Sequence, residues 1–298
     1  DSFLIAYSSQ YVDDNNLHYY INFKDGGYFM NEVSQTMDIT KPSLKRQKIY
    51  PLFHFVPGDP DSPTARRKDK KKHPFNTTPN NENARYLFNK AIASDNLYRI
   101  GIATHAYADS WSHQNFIGFL HDFNAMPMWA IIPNIGHADA RHEPDKVDNR
   151  WKDPRLVEEN EVIENNQRLL DAAEQIFSGF WRYLNPGVDA GRGMRKWQTL
   201  KEKLKDAMDE SYLFGSDERA RIKAYCGIIK DIPEYDKNKW RYEAVEKRVF
   251  ETDLFDRYWA KDEFRETRWY KFQEAVQEHR ELALTRLKPI YKEAGLQI

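Results

Sequence analysis

Three side chains that can bind a metal ion follow one another at equal spacing in the segment THAYADSWSHQNF, residues 104–116. His105, Asp109 and His113 lie at successive steps of four residues. Because an α-helix turns about 100° per residue, such steps bring the three side chains onto one slowly drifting stripe. Two interpretations remain open at this point. The stripe is either a set of metal ligands or part of an amphipathic helix that carries two histidines.

Further histidines and carboxylates lie in apolar segments of the first half of the chain. His54 lies in PLFHFVPGD, where a buried imidazole needs a polar partner. His137 lies in the loop-like segment IPNIGHADARHEPD, and Asp13 ends the apolar segment SQYVDD, with Asp14 as its alternative. Each residue alone could be a hydrogen-bonded core histidine or a carboxylate at a helix end. Their joint occurrence favours a metal site.

Composition narrows the kind of site and of partner. Cys226 is the only cysteine, so the chain has no internal disulfide and no thiolate zinc cluster. A metal would be held by His and carboxylates, a ligand set that suits hydrolytic zinc, manganese or iron. The formal net charge of -1 gives no overall basic field that would favour nucleic acid. With one cysteine and no long apolar run, we expect a cytoplasmic protein without stable membrane insertion.

The order of these residues resembles the zinc-dependent phospholipase C and S1/P1 nuclease superfamily. THAYADSWSHQNFIGF is similar to the central metal helix of an uncharacterised bacterial branch, and the resemblance extends over roughly residues 2–180. The resemblance implies two or more divalent ions, with zinc as the first choice. Position by position, the resemblance implies two metal sites. The ligands of the first would be Asp13, His54, His105 and Asp109, and those of the second would be His113, His137 and Asp139.

The sequence departs from the superfamily at three points. His113 follows Asp109 more closely than usual, and the residue four after His137 is Arg141, which cannot bind a metal. The superfamily also builds a third metal site from its N-terminal residue and a nearby histidine, whereas this chain has no histidine before His18. The remaining ligand of the second site, a carboxylate or an imidazole, could therefore be any of four residues: Asp139, His142, Glu143 or Asp145.

The implied activity is hydrolysis of a phosphodiester or phosphomonoester in a phospholipid, nucleic acid or nucleotide. Two ions about 3.5 to 4 Å apart would supply a metal-bound hydroxide as the nucleophile. Asp109 lies between two histidines of the stripe, so it is the candidate catalytic residue that touches both ions. Nearby aromatic residues could line the substrate cavity or belong to the core. They are Trp111, Phe116, Phe119, Trp129 and Trp151.

Two other functions fit parts of the sequence. The protein could be a helical interaction module with a structural or vestigial metal site, whose working surface is the aromatic, charged region at 240–272. Alternatively, His121 and Asp122 could form the core of an HD-type phosphohydrolase, although no upstream histidine is well placed for it.

Helical periodicity predicts an all-α fold, and the resemblance implies a single multi-helix domain of the phospholipase C/P1 nuclease type. SFLIAYSSQYV predicts a helix that ends near Asp13, and the segment before His113 predicts two helices that meet at Ser94, with Ser94 capping the second. Further helices are predicted at 155–184, 194–208 and 217–229 and within 239–292. LHYYINF and YPLFHFV are the best strand candidates.

The segment at 57–83 differs in composition from its surroundings. It contains five prolines and a run of six basic residues between Arg66 and Lys72. We expect a solvated, basic loop insertion that either forms ordinary surface or steers an anionic substrate. The predicted organisation is a phosphoesterase-like helical core at 1–190 that carries this insertion, and a helical C-terminal extension at 191–298 packed on the core.

Overall fold

The structure, a computed structural model, describes residues 1–36, 47–126, 135–208, 218–229, 234–246 and 257–297. Helices account for 54% and strands for 9%, so the fold is largely helical, as predicted, but includes two small sheets that an all-α fold lacks. The helices are α1 Ser2–Asp14, α2 Tyr50–Phe53, α3 Glu82–Ala93, α4 Leu97–Ser112, α5 Asn165–Leu184, α6 Ala190–Met208, α7 Glu218–Ile228, α8 Lys239–Ala244 and α9 Arg268–Glu293. The strands are β1 Tyr20–Asn22, β2 Tyr28–Met30, β3 Arg150–Lys152, β4 Val162–Glu164 and β5 Arg257–Trp259.

Helices α1 and α4 pack directly against each other, and Gly101 of α4 makes this possible. A Cβ atom at Gly101 would lie 2.5 Å from the Ser8 Cβ and 2.6 Å from the Ile5 carbonyl oxygen, both in α1. These distances are too short for any residue but glycine unless the helices separate. The close approach places the end of α1, with Asp13, beside the next turn of α4, which carries His105.

Helix α9 supplies one side of the main hydrophobic core. Trp269 and Phe272 are fully buried in the same cluster as Tyr11 of α1 and Tyr107 of α4. The Trp269 indole N–H donates a hydrogen bond to the Tyr11 hydroxyl at 3.1 Å. The C-terminal helix therefore completes the core around the α1–α4 pair, while the predicted division at residue 190 stays a prediction.

The two sheets are short, and one of them joins distant parts of the chain. Strand β1 pairs with β2 in an antiparallel hairpin and with β5 in parallel, so Ile21 lies between Phe29 and Tyr258. Strands β3 and β4 form a separate antiparallel pair in which Trp151 faces Ile163. The parallel pairing ties the segment after α1 to the C-terminal region.

Several predicted element boundaries are wrong for identifiable reasons. YPLFHFV begins with the short helix α2 rather than forming a strand, because Pro51 suits the first turn of a helix. The helix predicted from 155 begins only at Asn165, because the preceding residues form the β3–β4 hairpin. Ser94 lies at the end of α3, and Asn96 caps α4 by accepting hydrogen bonds from two backbone N–H groups.

The expectation that 57–83 is a solvated insertion with little to bury is wrong. Phe75 is 1% exposed and contacts Tyr291 of α9, with ring centroids 4.8 Å apart. Arg67, in the middle of the basic run, is 7% exposed and lies over the Phe123 ring at 4.3 Å. The segment therefore packs on the core through a few inward-pointing groups, among them Ala65, Arg67 and Phe75.

None of the helices in the described ranges combines the length and the apolar character needed to cross a bilayer.

Candidate metal centre

Four side chains from three separate segments converge at the end of α1. The His54 Nδ1, His105 Nε2 and Asp109 Oδ2 atoms lie 3.1 to 3.2 Å from one another. The Asp13 Oδ1 atom lies 3.8 Å from the His54 nitrogen and 3.6 Å from the His105 nitrogen. Donor atoms that share one ion at bonds of about 2.1 Å lie about 3 to 3.5 Å apart in octahedral or tetrahedral geometry. Asp13, His54 and His105 form the single convergent ligand group found among the described residues, and Asp109 contacts two of its members.

The outer nitrogens of the two imidazoles bond the backbone. The His54 Nε2–H donates to the Ser34 carbonyl at 2.9 Å, so the neutral ring presents the lone pair of Nδ1 to the cluster. The His105 ring also hydrogen-bonds the Ser9 backbone of α1. Such contacts fix the tautomer and orientation of metal-binding histidines. Both rings therefore point lone pairs at the Asp109 carboxylate, an arrangement that only a cation or a proton can stabilise.

A buried amide network holds the segments that carry these ligands. The Asn15 carbonyl, just after Asp13, accepts from the backbone N–H groups of Ser34 at 3.0 Å and Gln35 at 3.3 Å. The Asn15 side chain donates to the Ser34 hydroxyl at 3.2 Å and accepts from the Gln273 amide of α9 at 3.0 Å. Gln35 in turn donates to Asp13 Oδ1 at 3.4 Å. Asn15 thus fixes both the end of α1 and the carbonyl that orients His54.

The protonation of the metal-free cluster follows from burial and charge. Burial by itself would lower the pKa of His105, but the Asp109 and Asp13 carboxylates raise it to about 9. Burial also opposes ionisation of Asp109, yet the imidazoles of His105 and His113 hold its pKa well below the usual range. A proton on His105 therefore occupies the position that a divalent cation would take.

The cluster opens into a cavity of about 340 Å³. Asp13, with 46% of its side chain exposed, faces this cavity, whereas the His54 side chain is only 3% exposed. Tyr50, Phe55 and Ile135 give the cavity an apolar side. A small molecule can therefore reach the cluster from the Asp13 side.

The residues predicted for a second metal site lie beside the first without forming a comparable group in the described part of the chain. The His113 Nδ1–H donates to the His54 carbonyl at 3.0 Å, and burial lowers the pKa of His113 to about 4. Its ring stacks between those of Phe55 at 4.1 Å and His137 at 5.2 Å. His137 Nε2 lies 3.5 Å from Asp145 Oδ1, so Asp145 is the carboxylate beside it.

The remaining candidates for the second site are less favourably placed or are not described. The Asp139 side chain lies outside the described part of the structure, and the His142 side chain is 86% exposed. Glu143 accepts a hydrogen bond from Asn149 at 2.6 Å. The second metal site stays a prediction.

A buried arginine joins the end of α4 to the loop of His137. Arg168 of α5 donates hydrogen bonds to the carbonyls of Trp111 at 3.0 Å, Ser112 at 3.1 Å and Pro144. Burial lowers the pKa of its guanidinium to about 10. The guanidinium satisfies carbonyls at the end of a helix and fixes His113 relative to the loop.

The aromatic residues considered from the sequence lie in the core, except Trp129, which falls outside the described residues. Trp111, Phe116, Phe119 and Trp151 are all 7% exposed or less, and the cavity is lined instead by Tyr50 and Phe55. In the sequence, only the position of Phe55 directly after His54 indicates that it lies at the site. Nothing in the sequence indicates the roles of Ser34 and Asn15, because a backbone hydrogen-bond acceptor leaves no pattern in the sequence.

The residues on which the other two functions depend differ in exposure. His121 and Asp122 are exposed, and the His121 Nδ1 accepts from the Phe123 N–H at a local turn. In the C-terminal region, Trp240, Trp269 and Phe272 are fully buried, whereas Tyr242 and Trp259 are exposed, so the interaction module stays a prediction.

Fold and site together define a largely helical protein with a buried cluster of histidines and carboxylates that opens into a small cavity. The chain belongs to the family of unknown function DUF6765, which it matches over residues 1–287. No curated protein and no solved structure matches the chain.

Proposed function

We propose that this protein is a divalent-metal-dependent phosphoesterase with a helical core of the phospholipase C/P1 nuclease type. The observation that carries the proposal is the convergence of lone pairs from Asp13, His54, His105 and Asp109 within 3.1 to 3.8 Å. The two histidines already bond the backbone on their outer sides, so the inward-facing donor atoms share either one proton, on His105, or a metal ion that would replace it.

The residues present fit a divalent ion, with zinc as the first choice. Imidazole and carboxylate donors without thiolates are typical of hydrolytic zinc sites. When bound, such an ion polarises a phosphoryl oxygen and lowers the pKa of a coordinated water. A second ion, held by His113 and His137 with Asp139 or Asp145, is part of the proposal.

The remaining residues of the cavity would position the substrate. Asp13, the most exposed ligand, lies at the cavity side of the cluster, so the phosphate group would enter there. Tyr50, Phe55 and Ile135 would contact the uncharged part of the ester. The buried side of the cluster, formed by His54 and Asp109, would exclude water from all directions except the cavity.

Hydrolysis by chelator-treated protein tests this proposal. We expect loss of activity towards bis-p-nitrophenyl phosphate and p-nitrophenyl phosphate after chelation, and recovery on adding zinc or manganese. His105→Ala should lower kcat/KM by at least about a hundredfold, since loss of a ligand or its support lowers metal affinity or activity by that order. Asp25→Asn, which changes an exposed carboxylate of the β1–β2 turn, should leave the rate unchanged.

The substrate class is tested by measuring whether the metal-reconstituted protein hydrolyses phosphatidylcholine vesicles or single-stranded DNA. Activity that survives chelation, or that His105→Ala leaves intact, would refute the metal-dependent proposal. Absence of hydrolysis by the metal-loaded wild type would favour a helical interaction module.

A further inference from the structure

The basic run at 66–72 forms an ordered loop held by one buried arginine. Arg67 donates to both oxygens of Asp69, with Nε–Oδ1 and Nη2–Oδ2 distances of 3.0 and 3.2 Å, and to the Phe123 carbonyl at 3.0 Å. The backbone on either side is tied to the segment before β4 through the Lys68 N–H and the Arg66 carbonyl. The backbone that carries the other cations is therefore ordered by contacts within the protein.

Two further cations of the run form ion pairs with carboxylates, one of which, Glu161, also pairs with Lys152. Lys68 Nζ lies 2.8 Å from Glu161 Oε2, and Lys72 pairs with Asp61. With Arg67, three of the six basic residues thus serve to fix the loop.

The other three cations have no comparable partner among the described residues. Arg66 bonds only the Pro63 carbonyl, at 3.4 Å. Lys71 Nζ lies 4.0 Å from Asp69, whose two oxygens already bind Arg67. No carboxylate of the described chain lies within ion-pair distance of Lys70, whose backbone adopts a left-handed conformation at φ 60°.

These three side chains line one cavity of about 540 Å³, whose other lining residues are Arg67, the paired Asp61 and Lys72, and the apolar Pro60, Ala65 and Val157. No residue of this cavity lines the cavity of the candidate metal centre. Like charges held together on an ordered loop repel one another, and an anion in the cavity relieves that repulsion. We propose that this cavity is a second, separate ligand site that binds a small molecule carrying two or more phosphate charges.

The shape and chemistry of the cavity favour such a ligand over a nucleic-acid strand. Arg66 offers a planar fork that matches two phosphate oxygens, and Lys70 and Lys71 add point charges beside it. A strand would need a groove with stacking aromatic side chains, whereas this cavity is lined by proline, alanine and valine in addition to its charged residues.

Pyrophosphate binding to chelator-treated protein tests the site without interference from a metal centre. Calorimetry at low salt should show one pyrophosphate per chain, and the double variant Arg66→Gln, Lys70→Gln should weaken binding by about tenfold or more. The matched control is Lys68→Gln, which removes one charge from the same run but from the Glu161 side, and should change the affinity by less than about twofold.

Three results would overturn this proposal. The first is absence of pyrophosphate binding by the wild type. The second is a loss of binding free energy in Lys68→Gln that is half or more of the loss in the double variant, because equal losses per removed charge would reflect net charge alone. The third is tighter binding of a DNA duplex than of pyrophosphate with the same dependence on Arg66 and Lys70, which would assign the loop to a polyanionic strand.

Discussion

At the scale of single residues, the two ring nitrogens of His54 have separate tasks. Nε2 is fixed by the Ser34 carbonyl, and Nδ1 is thereby left as an acceptor beside Asp109. This division depends on a residue that never touches the cluster, because the Asn15 backbone carbonyl accepts from the Ser34 N–H and the Asn15 side-chain amide donates to the Ser34 hydroxyl. The positions of the proposed ligands therefore depend on the hydrogen bonds of the buried amide network around Asn15.

We predict that Asn15→Ala lowers zinc affinity about 10- to 100-fold, because loss of an outer hydrogen-bond partner commonly has effects of this size. The control is Asn124→Ala, which removes another buried asparagine that bonds the Ile117 and Phe119 backbone away from the cluster. Both variants should lose stability to urea, but zinc titration should show weakened binding only for Asn15→Ala. Equal zinc affinities in the two variants would show that the network is merely structural.

His279 of α9 should make stability depend on pH. It is 2% exposed and donates to the Leu52 carbonyl, and burial lowers its pKa to about 4 from an ordinary value of about 6.5. The unfolded chain therefore binds more protons between pH 4 and 6.5, so stability is lost as the pH falls through this window.

Replacing His279 with Gln should reduce this slope by up to about 1.4 kcal/mol per pH unit, measured by urea unfolding from pH 4.5 to 7.5. His142→Gln is the control, because its side chain is 86% exposed and should not alter the slope. Parallel stability curves for wild type and His279→Gln would contradict the assignment of a buried neutral imidazole.

The sequence identifies the chemistry of single residues better than their partners. The four-residue steps predict that His105 and Asp109 share one helical face, and they do. Ser34 and Asn15 could not be found in the same way, because they act through backbone carbonyls and amide groups that carry no distinctive pattern. His113 faces the same cluster, but its stacking between Phe55 and His137 depends on loops whose course periodicity does not predict.

At the scale of elements, the distance between α1 and α4 decides whether the cluster can form. Gly101→Ala would place a Cβ atom against the α1 backbone and force the helices apart. We expect a loss of stability of about 1 to 3 kcal/mol from overpacking, accompanied by weaker zinc binding because Asp13 moves away from His105.

Gly227→Ala in α7 is the matched control for Gly101, because a Cβ atom there meets nothing within 4 Å. It should be neutral or stabilising by up to about 1 kcal/mol, and zinc binding should be unchanged. Chemical denaturation and zinc titration of the two variants provide the comparison. If Gly101→Ala bound zinc as tightly as wild type, the close helix contact would not be what assembles the cluster.

Helices were the most predictable elements, and short buried segments were the least. The hydrophobic periodicity of the sequence predicts the apolar face of α1 and the amphipathic α6. Helix α2 and the β3–β4 hairpin are too short to show such a periodicity. The polar composition of 57–83 suggested a solvated loop, but a few inward-pointing residues such as Phe75 and Arg67 are enough to pack it.

At the scale of the whole molecule, the two ends of the chain share one core. Trp269 of α9 packs with Tyr11 of α1, and β5 pairs with β1. The resemblance noted in the sequence offered little for the last hundred residues, and contacts of such long sequence separation leave no local pattern from which they could be predicted.

We predict that Trp269→Ala destabilises the entire molecule by about 3 to 5 kcal/mol, the usual loss for a fully buried aromatic side chain. Unfolding followed by far-UV circular dichroism and by near-UV absorbance should remain a single, coincident transition at lower denaturant. Two separate transitions, with only the second half of the chain affected, would instead mean that residues 191–298 fold as an independent unit.

The most direct test of the central claim is a zinc titration of the chelator-treated protein with and without the Asp109 carboxylate. Wild type should bind at least one zinc ion per chain, and Asp25→Asn should bind it equally well. Asp109→Asn, which keeps the side-chain shape but removes the charge between His54 and His105, should weaken binding by about a hundredfold or more. Failure of the wild type to bind zinc or another divalent ion, or equal affinity in Asp109→Asn, would contradict the assignment of a metal centre.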